Sequence, residues 1–147
     1  MVNKYIVLVL LVVWGIGCES PTSYSEELQL SIQPRLERSG EYYTLEVDTT
    51  KWQTVHRIDG VFSQPIEFKR VEWMSNLYWY HNTEPVPTVQ DRSISNEDGK
   101  ISIMIGVTRN MIGDTLLLRY HYDNKPYSDT INDYVPNTRN NITILLQ

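Results

Sequence analysis

The feature that most constrains the fold is the strict alternation of residues 101–107. Its apolar members are Ile101, Ile103, Ile105 and Val107, each separated from the next by a small, polar or flexible residue. A period of two places successive side chains on opposite faces of an extended strand, so one face meets a core and the other meets solvent. Similar strand signals recur in six further segments: 28–32, 43–47, 54–62, 115–122, 127–135 and 142–146.

Turn residues separate these segments at short intervals, and no window has a helical period longer than two turns. This pattern is typical of an all-β chain that packs two sheets face to face. With 147 residues and 41% hydrophobic side chains, the chain is long and apolar enough for one core. We therefore expect a single β-sandwich of about seven to nine strands over residues 28–147. Trp52 and Trp73 are expected to share its core, and residues 82–99 are expected to contain the least regular structure.

Three short motifs add a family resemblance. They are Val71-Glu72-Trp73, Asp98-Gly99 before the alternating strand, and Ile112-Gly113-Asp114-Thr115-Leu116 leading into Leu118-Arg119-Tyr120. Together they resemble immunoglobulin-like domains of bacterial surface proteins. The resemblance implies an antiparallel immunoglobulin-like sandwich with Trp73 buried on a central strand. The cysteine pair of antibody-type domains is absent, so packing alone would join the sheets.

The N-terminus has the pattern of an exported protein. Lys4 precedes the uncharged stretch YIVLVLLVVWGI, which is too short to span a bilayer as a helix and is typical of a signal peptide. The sequence Gly15-Ile16-Gly17-Cys18 then resembles the lipobox of bacterial lipoproteins, with Gly15 where that family prefers Leu. The resemblance implies a signal peptide over residues 1–17, lipidation of Cys18, and a flexible tether over residues 18–27. A signal peptide without lipidation is the alternative.

The same resemblance implies a location. Glu19 follows the cysteine, whereas in enteric bacteria Asp at that position retains a lipoprotein at the inner membrane. We therefore expect a lipid-anchored protein of the bacterial cell envelope, at the outer membrane. Two or more acyl chains on Cys18 would make this membrane attachment stable.

Few residues indicate catalysis. The chain has no metal-ligand spacing, phosphate loop or serine elbow, so we expect no metal and no cofactor. The net charge of -5 also argues against nucleic-acid binding. His121 and Asp123 lie two residues apart on a predicted strand and form a candidate acid–base pair. The alternative interpretation is a solvated strand end, and we expect His56 and His81 to be surface or edge residues.

Aromatic residues give the clearest indication of a ligand. Tyr78, Trp79 and Tyr80 are consecutive, and alternation on a strand sends Trp79 to the face opposite its neighbours. At least one large ring is therefore expected to face away from the core, where it could stack on a sugar or anchor a protein. The alternative is that the outward rings pack against residues 82–99.

These observations predict a non-enzymatic binding or assembly module held at the membrane through Cys18. Its partner would be an envelope protein or a polysaccharide. One alternative is a carbohydrate-binding module that uses Tyr78, Trp79 and Tyr80. The other is a small envelope enzyme built around His121 and Asp123.

Overall fold

The computed structural model describes residues 26–126 and 134–147, which form an all-β domain with three sheets. Its strands are β1 (Leu30–Gln33), β2 (Glu37–Ser39), β3 (Tyr42–Leu45), β4 (Gln53–Phe62), β5 (Arg70–Ser75), β6 (Tyr78–His81), β7 (Glu84–Pro87), β8 (Gln90–Ile94), β9 (Lys100–Thr108), β10 (Thr115–Tyr122) and β11 (Asn140–Leu146). One 3-10 turn, Arg109–Met111, follows β9. The predicted signal peptide, Cys18 and most of the predicted tether lie outside the described residues.

Two of the three sheets make up the body of the domain. The smaller has three antiparallel strands in the order β1-β4-β9, and the larger has six in the order β2-β3-β11-β10-β5-β8. Within the larger sheet β3 and β11 run parallel, whereas its other pairs are antiparallel. The prediction of an all-β fold is confirmed. The prediction of an antiparallel arrangement is wrong for this one pair, and the described residues contain more strands than expected.

Both body sheets contribute to one buried core. Ile58 and Ile105 come from the three-stranded sheet, and Trp73, Leu118 and Ile144 come from the six-stranded sheet. The alternation read from residues 101–107 is confirmed, because all four apolar residues of that segment are buried. Trp73 is also buried on β5, between β8 and β10, as the sequence indicated. Its indole N–H donates a hydrogen bond to the Ser93 hydroxyl at 2.8 Å.

Residues 82–99 are more regular than expected, because β7 and β8 lie within them. β7 pairs with β6 in a separate two-stranded hairpin, and β8 forms the edge of the six-stranded sheet. Pro85 and Pro87 suggested a loop. Proline has no backbone N–H to donate, but an edge strand tolerates it because one side of that strand needs no donor. The hairpin has only two strands, so both of its strands are edges.

Two turns contain a residue with positive φ. The short strand β2 ends at Ser39, and Gly40 completes the reversal into β3 with φ 63°. Before β5 the chain turns at Phe68, whose φ is 62°. Of the strand predicted over 127–135, residues 134 and 135 have no regular structure, and residues 127–133 lie outside the described residues.

Candidate functional site

The three consecutive aromatic residues all lie on β6, within the hairpin. Tyr78 is 50% exposed, Trp79 36% and Tyr80 71%. Their partners on β7 are Pro87, Val86 and Pro85, so residues 82–99 do pair with the aromatic strand without covering its rings. The Trp79 ring contacts the His81 ring edge-on, with centroids 5.9 Å apart, as expected for side chains two residues apart on one face. The hairpin therefore presents aromatic surface on both of its faces.

A cleft of about 320 Å³ connects the hairpin to the body of the domain. Four of its lining residues are aromatic and exposed, namely Trp52, Tyr78, Trp79 and Tyr80. The others come from the end of β9 and the connection to β10, namely Thr108, Asn110, Met111 and Asp114. We call this site the aromatic cleft. It combines ring faces with a hydroxyl, an amide and a carboxylate.

Trp52 is a lining residue of the aromatic cleft that the sequence interpretation did not place there. It was predicted to lie in the core with Trp73, and this is wrong, because Trp52 is 62% exposed. It lies in a bend before β4, between Lys51 and Gln53. Those polar neighbours were a signal against burial, since no two-residue apolar period extends across this position.

The tip of the hairpin is a two-residue turn formed by Asn82 and Thr83. Their φ angles are 48° and 75°, so both central residues are left-handed, as a type I′ turn requires. Asn is suited to this conformation, whereas a β-branched Thr adopts it only with strain. The turn is tight, and the twist of such turns matches that of the flanking strands.

Hydrogen bonds at the base of the hairpin attach it to the six-stranded sheet. The Asn76 side chain donates to the Thr115 carbonyl at 3.0 Å and accepts from the Leu117 N–H at 2.7 Å. The Ser75 hydroxyl accepts from the Val89 N–H at 2.9 Å. Asn76 therefore joins the hairpin to β10 with both ends of one amide. This attachment orients β6 relative to the body of the domain.

Backbone hydrogen bonds hold the connection between β9 and β10, which contributes Asn110, Met111 and Asp114 to the cleft. The Gly113 N–H donates to the Leu146 carbonyl at 2.8 Å, and the Leu146 N–H donates to the Asp114 carbonyl at 3.1 Å. Gly113 has a φ of 91°, which favours glycine at this turn. This side of the cleft is therefore attached to the end of β11.

The structure separates His121 and Asp123 by environment. His121 is half-buried and lines a groove on the outer face of the six-stranded sheet. Asp123 is buried beside Lys69. Burial lowers the pKa of the Lys69 ammonium, and the Asp123 carboxylate acts in the opposite direction. The Lys69 ammonium also donates a hydrogen bond to the Lys125 carbonyl.

The other two histidines have local partners. The His56 Nε2 lies 2.6 Å from the Pro34 carbonyl oxygen, to which it donates when protonated there. His81 contacts Trp79 on the hairpin, as described above. Among the described residues, no group of three or more His, Cys, Asp or Glu side chains is placed to hold a metal ion. Within the same residues, no helix is long and apolar enough to span a bilayer.

The aromatic cleft combines apolar and polar groups. Ring faces offer flat apolar contact, and Asn110 and Asp114 offer polar atoms at its edge. No known protein-family model matches the chain, and no curated protein sequence is significantly similar to it.

Proposed function

We propose that this protein is a non-enzymatic binding module of the bacterial cell envelope, anchored by a lipid on Cys18, and that its aromatic cleft binds a carbohydrate chain. One observation carries the proposal: four exposed aromatic residues, Trp52, Tyr78, Trp79 and Tyr80, line one cleft. Exposing so much ring surface forgoes the stabilisation that its burial would give. Contact with a ligand recovers that stabilisation.

The mixture of groups in the cleft favours a sugar as the ligand. A pyranose ring has apolar C–H faces that stack on aromatic rings and hydroxyl groups that need polar partners at its edge. Trp52 and Trp79 supply ring faces, and Asn110 and Asp114 supply an amide and a carboxylate. A protein partner that inserts side chains between the same rings is the second candidate, because exposed Trp and Tyr are common anchors at protein interfaces.

The position of the cleft suits a tethered receptor. The first described residues lie near the end of β4, where the Glu26 carbonyl accepts a hydrogen bond from Gln64. The cleft is beside Trp52, at the start of the same strand. Ten strand residues span about 33 Å, so the cleft and the N-terminal attachment are at opposite ends of the three-stranded sheet. A lipid on Cys18 would therefore attach the domain at the end of the sheet that lies away from the cleft.

An immunoglobulin-like arrangement of the two body sheets is part of the same proposal. Trp73 packs on Tyr120 of the neighbouring strand, with ring centroids 5.3 Å apart. Phe62 and Tyr122 make an edge-to-face contact between the two sheets, with centroids 5.4 Å apart. A buried Trp on a central strand is what the resemblance of residues 71–122 implies. The β6–β7 hairpin is then an addition that bears the ligand site.

Binding can be tested by tryptophan fluorescence across a panel of envelope and plant polysaccharides. We expect saturable quenching by at least one glycan, with affinity reduced at least tenfold in Trp79→Ala and in Trp52→Ala. Tyr42→Ala is the matched control, because Tyr42 is also exposed but lies on β3, outside the cleft. Absence of any response, or an equal loss in the control, would reject the carbohydrate ligand. Stoichiometric copurification of a protein with the wild type but not with Trp79→Ala would indicate the protein partner instead.

The anchor and the absence of catalysis need separate tests. Labelled palmitate should enter the wild-type protein in its bacterial host and fail to enter Cys18→Ser; equal labelling would contradict lipidation. The enzyme alternative predicts a turnover that His121→Ala abolishes. We expect no turnover of any glycan that the protein binds.

A further inference from the structure

A second surface, on the outer face of the six-stranded sheet, has a composition unlike that of the aromatic cleft. A groove of about 380 Å³ crosses this face and is lined by Met74, Arg119, His121, Arg139, Asn140 and Asn141. We call it the arginine groove. The strand register explains it: Arg119 on β10 lies between Met74 on β5 and Asn141 on β11. No carboxylate is among these lining residues.

The two arginines of the groove lack acidic partners within the part of the chain that the structure describes. Arg35 and Arg57 both pair with Asp59, and Arg70 pairs with Glu72. Neither Arg119 nor Arg139 makes a salt bridge to any described residue, and both are exposed. Three other exposed arginines, Arg38, Arg92 and Arg109, also make no salt bridge to a described residue. Arg119 and Arg139 differ from them in lining one groove together.

The acidic side chain nearest in register does not neutralise the groove. Glu72 lies across from His121 on β5, but its carboxylate is held by Arg70. Arg70 in turn lies over the Tyr134 ring, 4.6 Å from its centroid. Glu72 lies on the same outer face as Arg119, two residues along β5 from Met74, and no salt bridge joins it to Arg119 or Arg139. The guanidinium groups of the groove therefore stay available to a ligand.

We propose that the arginine groove is a binding site for an oxyanion, either a carboxylate or a phosphate group. Guanidinium groups present a planar fork of N–H donors that matches both oxyanions in a bidentate geometry. The Asn141 side-chain amide adds an uncharged donor, and exposed Met74 offers apolar contact to the carbon skeleton next to the anion. The positive charge of both arginines would favour an anion in the groove. The site is separate from the aromatic cleft and does not depend on the function proposed for it.

The test is a titration of the full chain with inorganic phosphate and, separately, with glucuronate. The arginine side-chain N–H resonances report occupancy by nuclear magnetic resonance. We expect saturable shifts at Arg119 and Arg139 with at least one of the two anions. The double variant Arg119→Gln/Arg139→Gln should bind that anion at least tenfold more weakly. Saturation by phosphate would indicate a phosphorylated ligand, and saturation by glucuronate would indicate a ligand with a carboxylate.

The control double variant is Arg38→Gln/Arg57→Gln, which removes the same charge from exposed positions outside the groove. It should bind the anion as the wild type does. Equal weakening in both double variants would show a general charge effect and overturn the site. Absence of saturation with either anion in the wild type would also overturn it. The control removes the exposed Arg57–Asp59 salt bridge and the groove variant removes none, so we expect the unfolding midpoint of the groove variant to be at least as high as that of the control.

Discussion

Trp73 and Trp79 lie six residues apart in the chain and have opposite environments. Trp73 is 1% exposed, packs on Tyr120 and donates a hydrogen bond to Ser93. Trp79 is 36% exposed and contacts only the neighbouring His81 ring among the aromatic contacts described. β5 lies between two neighbouring strands of a sheet whose inner face meets the core, whereas β6 belongs to a hairpin with only one neighbour. The same residue type therefore stabilises the fold at one position and is available to a ligand at the other.

The largest expected effect would come from truncating each tryptophan in turn. Trp73→Ala should lower the free energy of unfolding by about 3–5 kcal/mol, because it leaves a cavity and removes the partner of Ser93. Trp79→Ala should cost less than about 1 kcal/mol, since its ring is already partly in water. Urea unfolding of both variants measures the difference. If the two variants lost similar unfolding free energy, the contrast between the buried Trp73 and the exposed Trp79 would be contradicted.

A smaller effect is expected at the base of the hairpin. Asn76→Ala removes two hydrogen bonds, to Thr115 and from Leu117, so stability should fall by about 1–2 kcal/mol. Amide hydrogen exchange should rise more in β6 and β7 than in β5. Asn137→Ala is a useful comparison, because the Asn137 amide also makes two hydrogen bonds at a site away from the hairpin: it accepts from the Asn124 N–H and donates to the Asn124 side-chain oxygen. If its exchange pattern resembles that of Asn76→Ala, the hairpin does not depend on Asn76.

The pH dependence of stability tests the environments of Tyr120 and Tyr134, which lie outside the hairpin. Burial raises the pKa of Tyr120, and burial with the nearby Glu72 carboxylate raises the pKa of Tyr134 to about 12. A raised pKa means that the folded state holds the proton more tightly, so stability should decrease as pH rises from 10, the ordinary tyrosine value, towards 12. Tyr134→Phe should make this decrease shallower in urea unfolding. An unchanged slope would contradict the raised pKa.

Lys69 acts in the opposite direction in the alkaline range. Its pKa is lowered by burial, so its contribution to stability increases as pH rises towards the ordinary lysine value. The slope of the Tyr134→Phe variant should therefore be compared with that of the wild type under identical conditions, in which the Lys69 contribution cancels.

Strands with a buried face could be predicted from the sequence, and the hairpin could not be predicted completely. The segment 101–107 and β10 have apolar alternation because one face of each meets the core. β7 has no such face, and its two prolines are typical of turns, so its pairing with β6 was missed. Trp52 was missed for a related reason. Only burial against a core requires apolar residues at regular spacing. An exposed residue in a cleft has no such requirement, so the sequence around it shows no periodic pattern.

The smallest effect is expected at the tip of the hairpin, where strain and preorganisation can be separated. Thr83 has a φ of 75°, a conformation that glycine adopts without cost and a β-branched residue does not. Thr83→Gly should stabilise the hairpin by about 0.5–1 kcal/mol, because relief of strain exceeds the entropy that glycine adds to the unfolded chain. Thr83→Val is the control, since it keeps the branched Cβ and hence the strain. Amide exchange of β6 should slow in the glycine variant and stay unchanged in the valine variant. Faster exchange with glycine would mean that Thr83 is not strained, and that the tip contributes to the order of the aromatic strand.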